Sequence, residues 1–269
     1  MNSPGTPSQK RSERMVALLS ILDEHGQQPL SYLAQQLGAS EATIRRDVAT
    51  LATQGLLERT HGGARPSKTV GALPVRLRDG RNQEAKVRIA VAAARMIPKG
   101  KHAIGLTGGT TTAEVLRACR HRDDLTIITN SITIGLEAAE QGRSRVLIAG
   151  GILRSNSLEL VGSLTESTLR LVDIQTAFVG ADGISASGGI TTHDDVEART
   201  NRALIERARH VVAVADGSKI GHITQVKVVD LCDVHALVTD SSTPPHEIQR
   251  LQECGLKVHV VPAGEPVEQ

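Results

Sequence analysis

The sequence predicts an α/β protein made of a small helical domain closed by a β-hairpin, followed by a larger α/β domain with a mainly parallel sheet. Within residues 11–65, apolar side chains recur at helical spacing and then give way to a short hairpin pattern. From residue 83 onward, short β-branched runs alternate with helical stretches. A length of 269 residues also suits two unequal domains.

Composition limits the possible partners. Lys and Arg number 31 against 29 Asp and Glu, so any nucleic-acid surface must be local. Tyr32 and Phe178 are the only aromatic residues, which argues against binding single strands or RNA by base stacking. Three widely spaced cysteines without a CxxC pair, no apolar segment long enough for a bilayer and no secretory pattern predict a cytoplasmic protein without a membrane partner.

Changes in composition divide the chain. A Ser- and Pro-rich start predicts a disordered tail, and a stretch with Pro74, Gly71 and several arginines predicts a linker. Three interpretations of the linker stay open: it is simply solvated, it contacts DNA phosphates, or it packs between the two domains. The predicted segments are the tail 1–10, the helical domain 11–66, the linker 67–82, the α/β domain 83–241 and a C-terminal helix and strand 242–269.

Three helices are predicted in the first domain. The first spans Arg11–Glu24 and stops at Gly26. The second spans Ser31–Leu37 with Ser31 as its N-cap, and a Gly-Ala turn follows. Ser40 caps the third helix, which we expect over Glu41–Gln54. This succession, with a tight turn between the second and third helices, is typical of a helix-turn-helix.

The third helix has two different faces. Ile44, Val48 and Leu51 share one narrow face that must pack inward. The opposite face is short, polar and basic, and a DNA major groove accepts such a helix. Arg46 is placed to read guanine, whereas Arg45 on the flank is better placed for phosphate.

A hairpin follows: Leu56–Thr60 is the predicted strand and a His-Gly-Gly turn leads back through Arg65. Behind a recognition helix, such a hairpin is the wing of a winged helix. The predicted contacts to double-stranded DNA are Ser40, Thr43, Arg45, Arg46, Thr50, Arg59, His61, Gly62, Gly63 and Arg65. Two alternatives stay open, namely a plain three-helix packing module with solvated arginines and a module that binds another protein.

The second domain alternates strands and helices. The predicted strands are 102–107, 125–129, 145–149, 176–179, 210–215, 235–239 and 257–261, and the predicted helices are 83–97, 110–119, 132–141, 164–172, 194–208 and 245–254.

The loop Thr107–Thr112 is rich in Gly and Thr between a strand and a helix. Such a loop bares backbone N–H groups at a positive helix end, which favours an anion. It lacks the Walker lysine and GxGxxG spacing, so a small phosphate or a phosphosugar suits it better than a nucleotide. The plainer alternative is a tight turn without a ligand.

Further polar loops follow other predicted strands. In a parallel sheet these loops share one edge, where a ligand crevice forms. Lys219 would supply a positive charge, and Asn130, Asp182 and Asp216 would bind hydroxyls. The predicted effector residues are Gly108, Gly109, Thr110, Thr111, Asn130, Ser131, Gly150, Gly151, Asp182, Gly183, Glu197, Asp216 and Lys219. An enzymatic alternative makes a carboxylate of the helix that contains Glu197 a general base for isomerisation. Scattered histidines predict neither a metal nor a cofactor.

The chain resembles the DeoR family of sugar-catabolism regulators. The resemblance is carried by Thr43-Ile44-Arg45-Arg46-Asp47, followed at a fixed interval by His61-Gly62-Gly63-Ala64, and it continues to about Asp240, with Glu197-Ala198 matching the family pattern. One departure is Thr107, where the family commonly has Asp; this weakens an isomerase reading.

The resemblance implies a winged-helix DNA-binding domain and a sensor domain similar in fold to ribose-5-phosphate isomerase. It further implies a transcriptional regulator, most simply the repressor of a carbohydrate operon, relieved by a phosphorylated sugar or polyol. Because helix-turn-helix proteins read paired half-sites, a homo-oligomer is expected. The alternative is a phosphosugar isomerase with an accessory DNA-binding module.

Overall fold

A computed structural model describes residues 7–53, 55–66 and 82–262 of the chain. The chain forms two compact units, Met1–Arg81 and Asn82–Gln269. Residues 1–6 of the predicted tail and residues 67–81 of the predicted linker lie outside the described residues. Within the described part, no helix combines the length and apolar character needed to cross a membrane.

The N-terminal unit is a winged helix-turn-helix, as predicted. Its elements are α1 (Pro7–His25), β1 (Gln28–Pro29), α2 (Leu30–Gln36), α3 (Glu41–Thr53), β2 (Leu57–Thr60) and β3 (Gly63–Pro66). The three strands form an antiparallel sheet in the order β1-β3-β2. Gly26, at φ +69°, follows the end of α1, and its N–H donates to the Leu22 carbonyl at 2.9 Å.

Two predicted boundaries in this unit are wrong. Helix α1 begins at Pro7, so the last four residues of the predicted tail are helical; proline suits a first helical turn, where its missing N–H costs nothing. Helix α2 begins at Leu30 with Pro29 in the N-cap position, and Ser31 lies inside the helix. The cause is β1, because Pro29 pairs with Gly63 and the Leu30 N–H donates to the Gly62 carbonyl at 2.9 Å.

The predicted inner face of α3 is confirmed. Ile44 and Leu51 are fully buried and Val48 is 2% exposed. They pack in one aliphatic core with Leu18 of α1, Leu33 of α2 and the wing strands. This packing fixes the rotation of α3 about its own axis and so decides which side chains face solvent.

The C-terminal unit is built on a seven-stranded sheet. Its helices are α4 (Gln83–Ala94), α5 (Thr110–Ala118), α6 (Ile132–Gln141), α7 (Ser163–Arg170), α8 (Asp195–Ile205) and α9 (Pro245–Glu253). Its strands are β4 (His102–Leu106), β5 (Leu125–Thr129), β6 (Arg145–Ile148), β7 (Ile152–Arg154), β8 (Glu159–Val161), β9 (Ile174–Val179), β10 (Gly183–Ser185), β11 (Gly189–Thr192), β12 (Ala208–Val214), β13 (Val226–Val229), β14 (Ala236–Asp240) and β15 (Lys257–Val261).

The large sheet has the order β15-β14-β12-β9-β4-β5-β6, and every neighbouring pair is parallel. This confirms the predicted parallel sheet. Two aliphatic clusters make up its core, and the ring of Phe178 is fully buried in one of them. Since β4 lies between β5 and β9, the chain reverses its direction of travel across the sheet at β4. Such a switch point opens a crevice at the carboxyl ends of the strands.

Several short antiparallel strands were not predicted. The hairpin β7–β8 and the small sheet β10-β11-β13 consist of strands of three or four residues. Strands this short show no repeat from which the sequence can identify them. The hairpin follows the edge strand β6, and its second strand brings Glu159 to the carboxyl edge of the large sheet.

A buried carboxylate ties α3 to α1 in the N-terminal unit. Asp47 is 1% exposed, and its two oxygens accept hydrogen bonds from Arg11 Nε at 3.3 Å and Arg14 Nε at 2.7 Å. A carboxylate buried without such donors would be costly. Asp47 therefore anchors α3 to α1.

Replacing Asp47 tests this anchor. We expect Asp47→Ala to lower the free energy of unfolding of the N-terminal unit by about 1–3 kcal/mol, because two guanidinium groups lose their shared acceptor. Tyr32 is the one tyrosine of the chain, so tyrosine fluorescence in urea follows this unit alone. Glu41→Ala, at an exposed carboxylate of the same helix, is the control; equal losses for the two variants would contradict the anchoring role.

Candidate functional site

The solvent face of α3 begins at its cap. The Thr43 N–H donates to Ser40 Oγ at 3.2 Å, and the two hydroxyl oxygens lie 2.9 Å apart. Arg45 and Arg46 are exposed in the next turn. The predicted cap is confirmed, and two arginines are accessible close to the start of the helix, where a recognition helix contacts bases.

Thr50 is further along the same face and is already engaged within the protein. Its hydroxyl donates to the Arg46 carbonyl at 2.9 Å and accepts from Arg11 Nη2 at 3.1 Å. Arg11 was not among the predicted DNA contacts. No local signal could have found it, because its partners Asp47 and Thr50 lie 36 and 39 residues away along the chain.

The wing presents some of its predicted residues and not others. Arg59, His61 and Gly62 are exposed around the turn. Arg65 is exposed too, but its Nε donates to Glu58 Oε2 at 2.8 Å across the β2–β3 pair. Gly63 is buried, and a Cβ there would lie 2.3 Å from the Gln28 carbonyl oxygen. Gly63 therefore lets β1 pack against the wing instead of offering a surface contact.

In the C-terminal unit, the loops after β4 and β9 meet at the switch point. The Gly180 N–H, just beyond β9, donates to Thr107 Oγ1 at 3.0 Å, and the Thr107 N–H donates to the Phe178 carbonyl at 3.3 Å. Thr107 is fully buried. Its hydroxyl therefore joins the two loops that flank the crevice.

A carboxylate from the β7–β8 hairpin enters the glycine loop. Glu159 is 2% exposed, and its Oε1 accepts from the Gly108 N–H at 2.9 Å. Asn130, at the end of β5 and fully buried, approaches the same oxygen with its Nδ2 at 3.4 Å. The structure thus brings the predicted residues Gly108 and Asn130 together around Glu159.

A second group lies beside the first, on β11 and at the start of α8. The Thr192 hydroxyl is 2.9 Å from both Asp182 Oδ2 and Glu197 Oε1. Arg154 of β7 contacts Glu197 Oε2 through Nη1 at 3.0 Å and Asp194 Oδ2 through Nε at 3.3 Å. Asp194 caps α8 by accepting from the Glu197 N–H at 2.9 Å.

These surroundings shift the pKa values of two carboxyl groups, those of Glu197 and Asp194. Burial, together with the neighbouring carboxylates Glu159 and Asp182, raises the pKa of Glu197 to about 8, against the smaller lowering effects of Arg154 and Thr192. For Asp194, burial is outweighed by the Glu197 N–H and by Arg154, so its pKa lies below the usual value. The geometry agrees, because Thr192 has one hydroxyl proton for two carboxyl oxygens, and a protonated Glu197 can donate the second hydrogen bond.

The other predicted effector residues are distributed along the same edge of the sheet or close to it. Gly109 is the N-cap of α5, and Thr110 and Thr111 form its buried first turn. The Ser131 hydroxyl caps α6. Asp216 Oδ1 accepts from Asn82 Nδ2 at 2.9 Å, and Lys219 lies in the 3-10 turn that follows.

Three predicted glycines have different surroundings. Gly150 and Gly151 are exposed, and a Cβ on Gly151 would collide with Thr165 Oγ1. Gly183 is buried in β10, where a Cβ would lie 2.6 Å from the His222 carbonyl oxygen. At Gly151 and Gly183, the absence of a side chain permits close packing. A ligand can contact these three glycines only through their backbone.

Arg154 and Glu159 are the site residues that sequence reasoning missed. Both lie in the unpredicted hairpin. A usable signal was the position of Glu159 inside the otherwise apolar run from Leu158 to Val161, since a charge within such a run is buried only when it has a partner.

The raised pKa of Glu197 gives a prediction on stability. The folded state binds a proton that the unfolded state, with a pKa near 4.5, has already lost, so the free energy of unfolding should fall by a few kcal/mol as pH rises from about 4.5 to about 8. Urea unfolding followed by circular dichroism across this range measures it. Glu197→Gln should flatten the slope, whereas Glu140→Gln, at an exposed position on α6, should keep it; parallel curves for wild type and Glu197→Gln would contradict the assignment.

Comparisons with known proteins agree with this architecture. A model of the DeoR-like helix-turn-helix domain matches residues 14–70, and a model of the DeoR C-terminal sensor domain matches residues 81–241. A putative aga operon transcriptional repressor from Escherichia coli O157:H7 is 31% identical over 253 residues, covering 93% of this chain and 94% of the relative. The glycerol-3-phosphate regulon repressor of Escherichia coli K12 is 32% identical over 245 residues, covering 91% and 96%.

Among solved structures, a ribose 5-phosphate isomerase from Methanocaldococcus jannaschii aligns with 51% of this chain and 54% of its own, at 19% identity and a TM-score of 0.38. The two matched domain models follow one another over the chain in the order of its two units, and the named relatives align over nearly their full length. The chain therefore belongs to the DeoR family of transcriptional regulators.

Proposed function

We propose that this protein is a cytoplasmic repressor that binds a double-stranded operator through α3 and the wing. The observation that carries the proposal is the division of α3 into a buried aliphatic face and an exposed face with Arg45 and Arg46. Core packing holds the exposed face outward, and its small and basic side chains suit a major groove. The relatives named above are described as repressors, which supports repression over activation.

The proposed effector is a phosphorylated sugar or polyol bound at the carboxyl edge of the large sheet. The name of one relative refers to glycerol 3-phosphate, a phosphorylated polyol, which supports this ligand class. The site supplies backbone N–H groups at the start of α5 and polar side chains on the loops after the other strands. The effector relieves repression because it binds more tightly to the conformation that has low affinity for DNA. The coupling free energy between the effector site and the DNA-binding site is about 1–3 kcal/mol.

The proposed repressor is a homo-oligomer without enzymatic activity. Helix-turn-helix proteins usually bind two half-sites as symmetric dimers. Among the described residues, most of the strongly exposed large apolar side chains fall between residues 136 and 171. They include Ile152 and Leu153 on the hairpin, Leu164 on α7 and Ile148 at the end of the edge strand β6. This surface is the proposed contact between copies of the chain.

The two arginines of α3 are expected to differ. Arg46→Ala should cost about 1–3 kcal/mol on an operator selected from random duplexes and should relax base preference, because Arg46 reads a base edge. Arg45→Ala should weaken binding to all duplexes about equally and reduce the salt slope by about one, because Arg45 contacts phosphate. Fluorescence anisotropy at several salt concentrations measures both effects.

Arg209→Ala, at an exposed arginine of the C-terminal unit, is the control for a general loss of positive charge. Exchanged effects of the two α3 variants would contradict the roles assigned to Arg45 and Arg46. Failure of the wild type to bind any duplex at low salt would contradict DNA binding itself and favour a protein-binding module. The same titration counts chains per operator, and a single chain would contradict the homodimer.

An effector should stabilise the full chain. The test is a thermal unfolding screen of sugar and polyol phosphates that includes glycerol 3-phosphate and ribose 5-phosphate. A ligand at about 100 times its Kd should raise the free energy of unfolding by about 2.7 kcal/mol. Lys219→Ala should retain operator binding and lose both this stabilisation and ligand-induced release from DNA. Lys99→Ala, at an exposed lysine, is the control. Full induction of Lys219→Ala would remove Lys219 from the site, and turnover of ribose 5-phosphate would favour the isomerase alternative.

A further inference from the structure

The glycine loop is shaped to hold an anion, and it holds a carboxylate of the protein itself. Gly109 at the N-cap of α5 has no side chain to cap the helix, so the first N–H groups of α5 depend on other acceptors. The Gly108 N–H, one residue earlier, donates to Glu159 Oε1 at 2.9 Å. Glu159 reaches this position from β8, 51 residues further along the chain.

The fit between the loop and Glu159 is close. A Cβ on Gly108 would lie 2.3–2.5 Å from Cδ, Cγ and Oε1 of Glu159. Real Cβ atoms do not come this near to other heavy atoms, so any side chain at residue 108 would push the carboxylate out. The absence of a side chain at residue 108 is therefore what admits Glu159.

Asn130 beside the loop has an unused hydrogen-bond acceptor. Its Nδ2 approaches two acceptors, Glu159 Oε1 at 3.4 Å and the Leu160 carbonyl at 3.2 Å, which fixes the orientation of the amide. The whole residue is buried, and its Oδ1 has no hydrogen-bond partner among the described residues. A buried acceptor without a donor is costly, so this atom is suited to a hydroxyl group of a ligand.

A free anion and Glu159 cannot use the Gly108 N–H together. Both need the same donor, and their like charges repel in a buried site. Glu159 and Asp182 both lie near enough to Glu197 to raise its pKa, so this place already holds more than one negatively charged carboxylate. The position is therefore open to an external anion only when the Glu159 carboxylate has left it.

We propose that Glu159 is a built-in competitor at the anion position of the glycine loop and sets the affinity for the ligand. The ligand class is a polyhydroxylated anion, whose anionic group replaces the Glu159 carboxylate at Gly108 and whose hydroxyl donates to Asn130 Oδ1. In taking this loop as part of the effector site, the inference rests on the proposed function.

Displacement of Glu159 has a consequence for the hairpin. Glu159 lies in β8, and Arg154 on the paired strand β7 contacts both Asp194 and Glu197 at the start of α8. When the carboxylate leaves the loop, the hairpin loses its hydrogen bond to the Gly108 N–H. Ligand binding is thereby connected to the exposed apolar side chains of Ile152 and Leu153 on the same hairpin.

Inorganic phosphate tests the competition without requiring the natural effector. We expect Glu159→Ala in the full chain to bind phosphate at least tenfold more tightly than wild type, measured by calorimetric titration and by thermal unfolding in phosphate against chloride at equal ionic strength. Glu159→Ser serves if the alanine variant does not fold. Glu140→Ala, at an exposed glutamate, should behave as wild type.

The double variant Gly108→Ala/Glu159→Ala locates the anion. Its Cβ fills the space that Glu159 has left, so phosphate binding should return to the wild-type level. Equal phosphate affinity in wild type and Glu159→Ala, no binding in either, or retained binding in the double variant would each overturn the proposal. These measurements involve no DNA, so a failure of the repressor proposal in the operator titration is distinguishable from a failure here.

Discussion

A carboxylate removed from water must find donors inside the protein, and this constraint organises both units of the chain. In the N-terminal unit, Asp47 accepts from Arg11 and Arg14 and thereby anchors α3 to α1. In the C-terminal unit, Glu159 accepts from the Gly108 N–H at the switch point of the sheet. The first arrangement fixes a helix for binding DNA, and the second occupies a position suited to the anionic group of a ligand.

The carboxyl groups near the switch point share few protons and few donors. Thr192 lies between Asp182 and Glu197 with a single hydroxyl proton, and Arg154 divides its guanidinium between Glu197 and Asp194. A ligand that adds or removes a donor therefore changes which of these carboxyl groups are paired. A change of pairing of this kind suits a sensor, since a ligand can shift only states that it binds with different affinity.

Much of the fold was predictable because its determinants are local. The spacing of Ile44, Val48 and Leu51 is sufficient to orient α3, and the β-branched runs identify all seven parallel strands of the large sheet. The false N-cap at Ser31 arose because the strand that displaces it is two residues long and pairs with the distant Gly63. Glu159 was missed for a related reason, since its partner Gly108 is 51 residues away and no local pattern encodes such a pairing.

The position of β4 at the middle of the sheet affects the order in which the chain acquires structure during synthesis. The winged helix takes its described contacts from residues 7–66, and such local contacts form quickly. Strand β4 pairs with β9 through Ile104 and Thr176, so the sheet stays incomplete until more than half of the second unit has left the ribosome. The nascent chain therefore carries a folded winged helix while its C-terminal unit is still incomplete. During that interval it exposes unpaired strand edges to which chaperones bind.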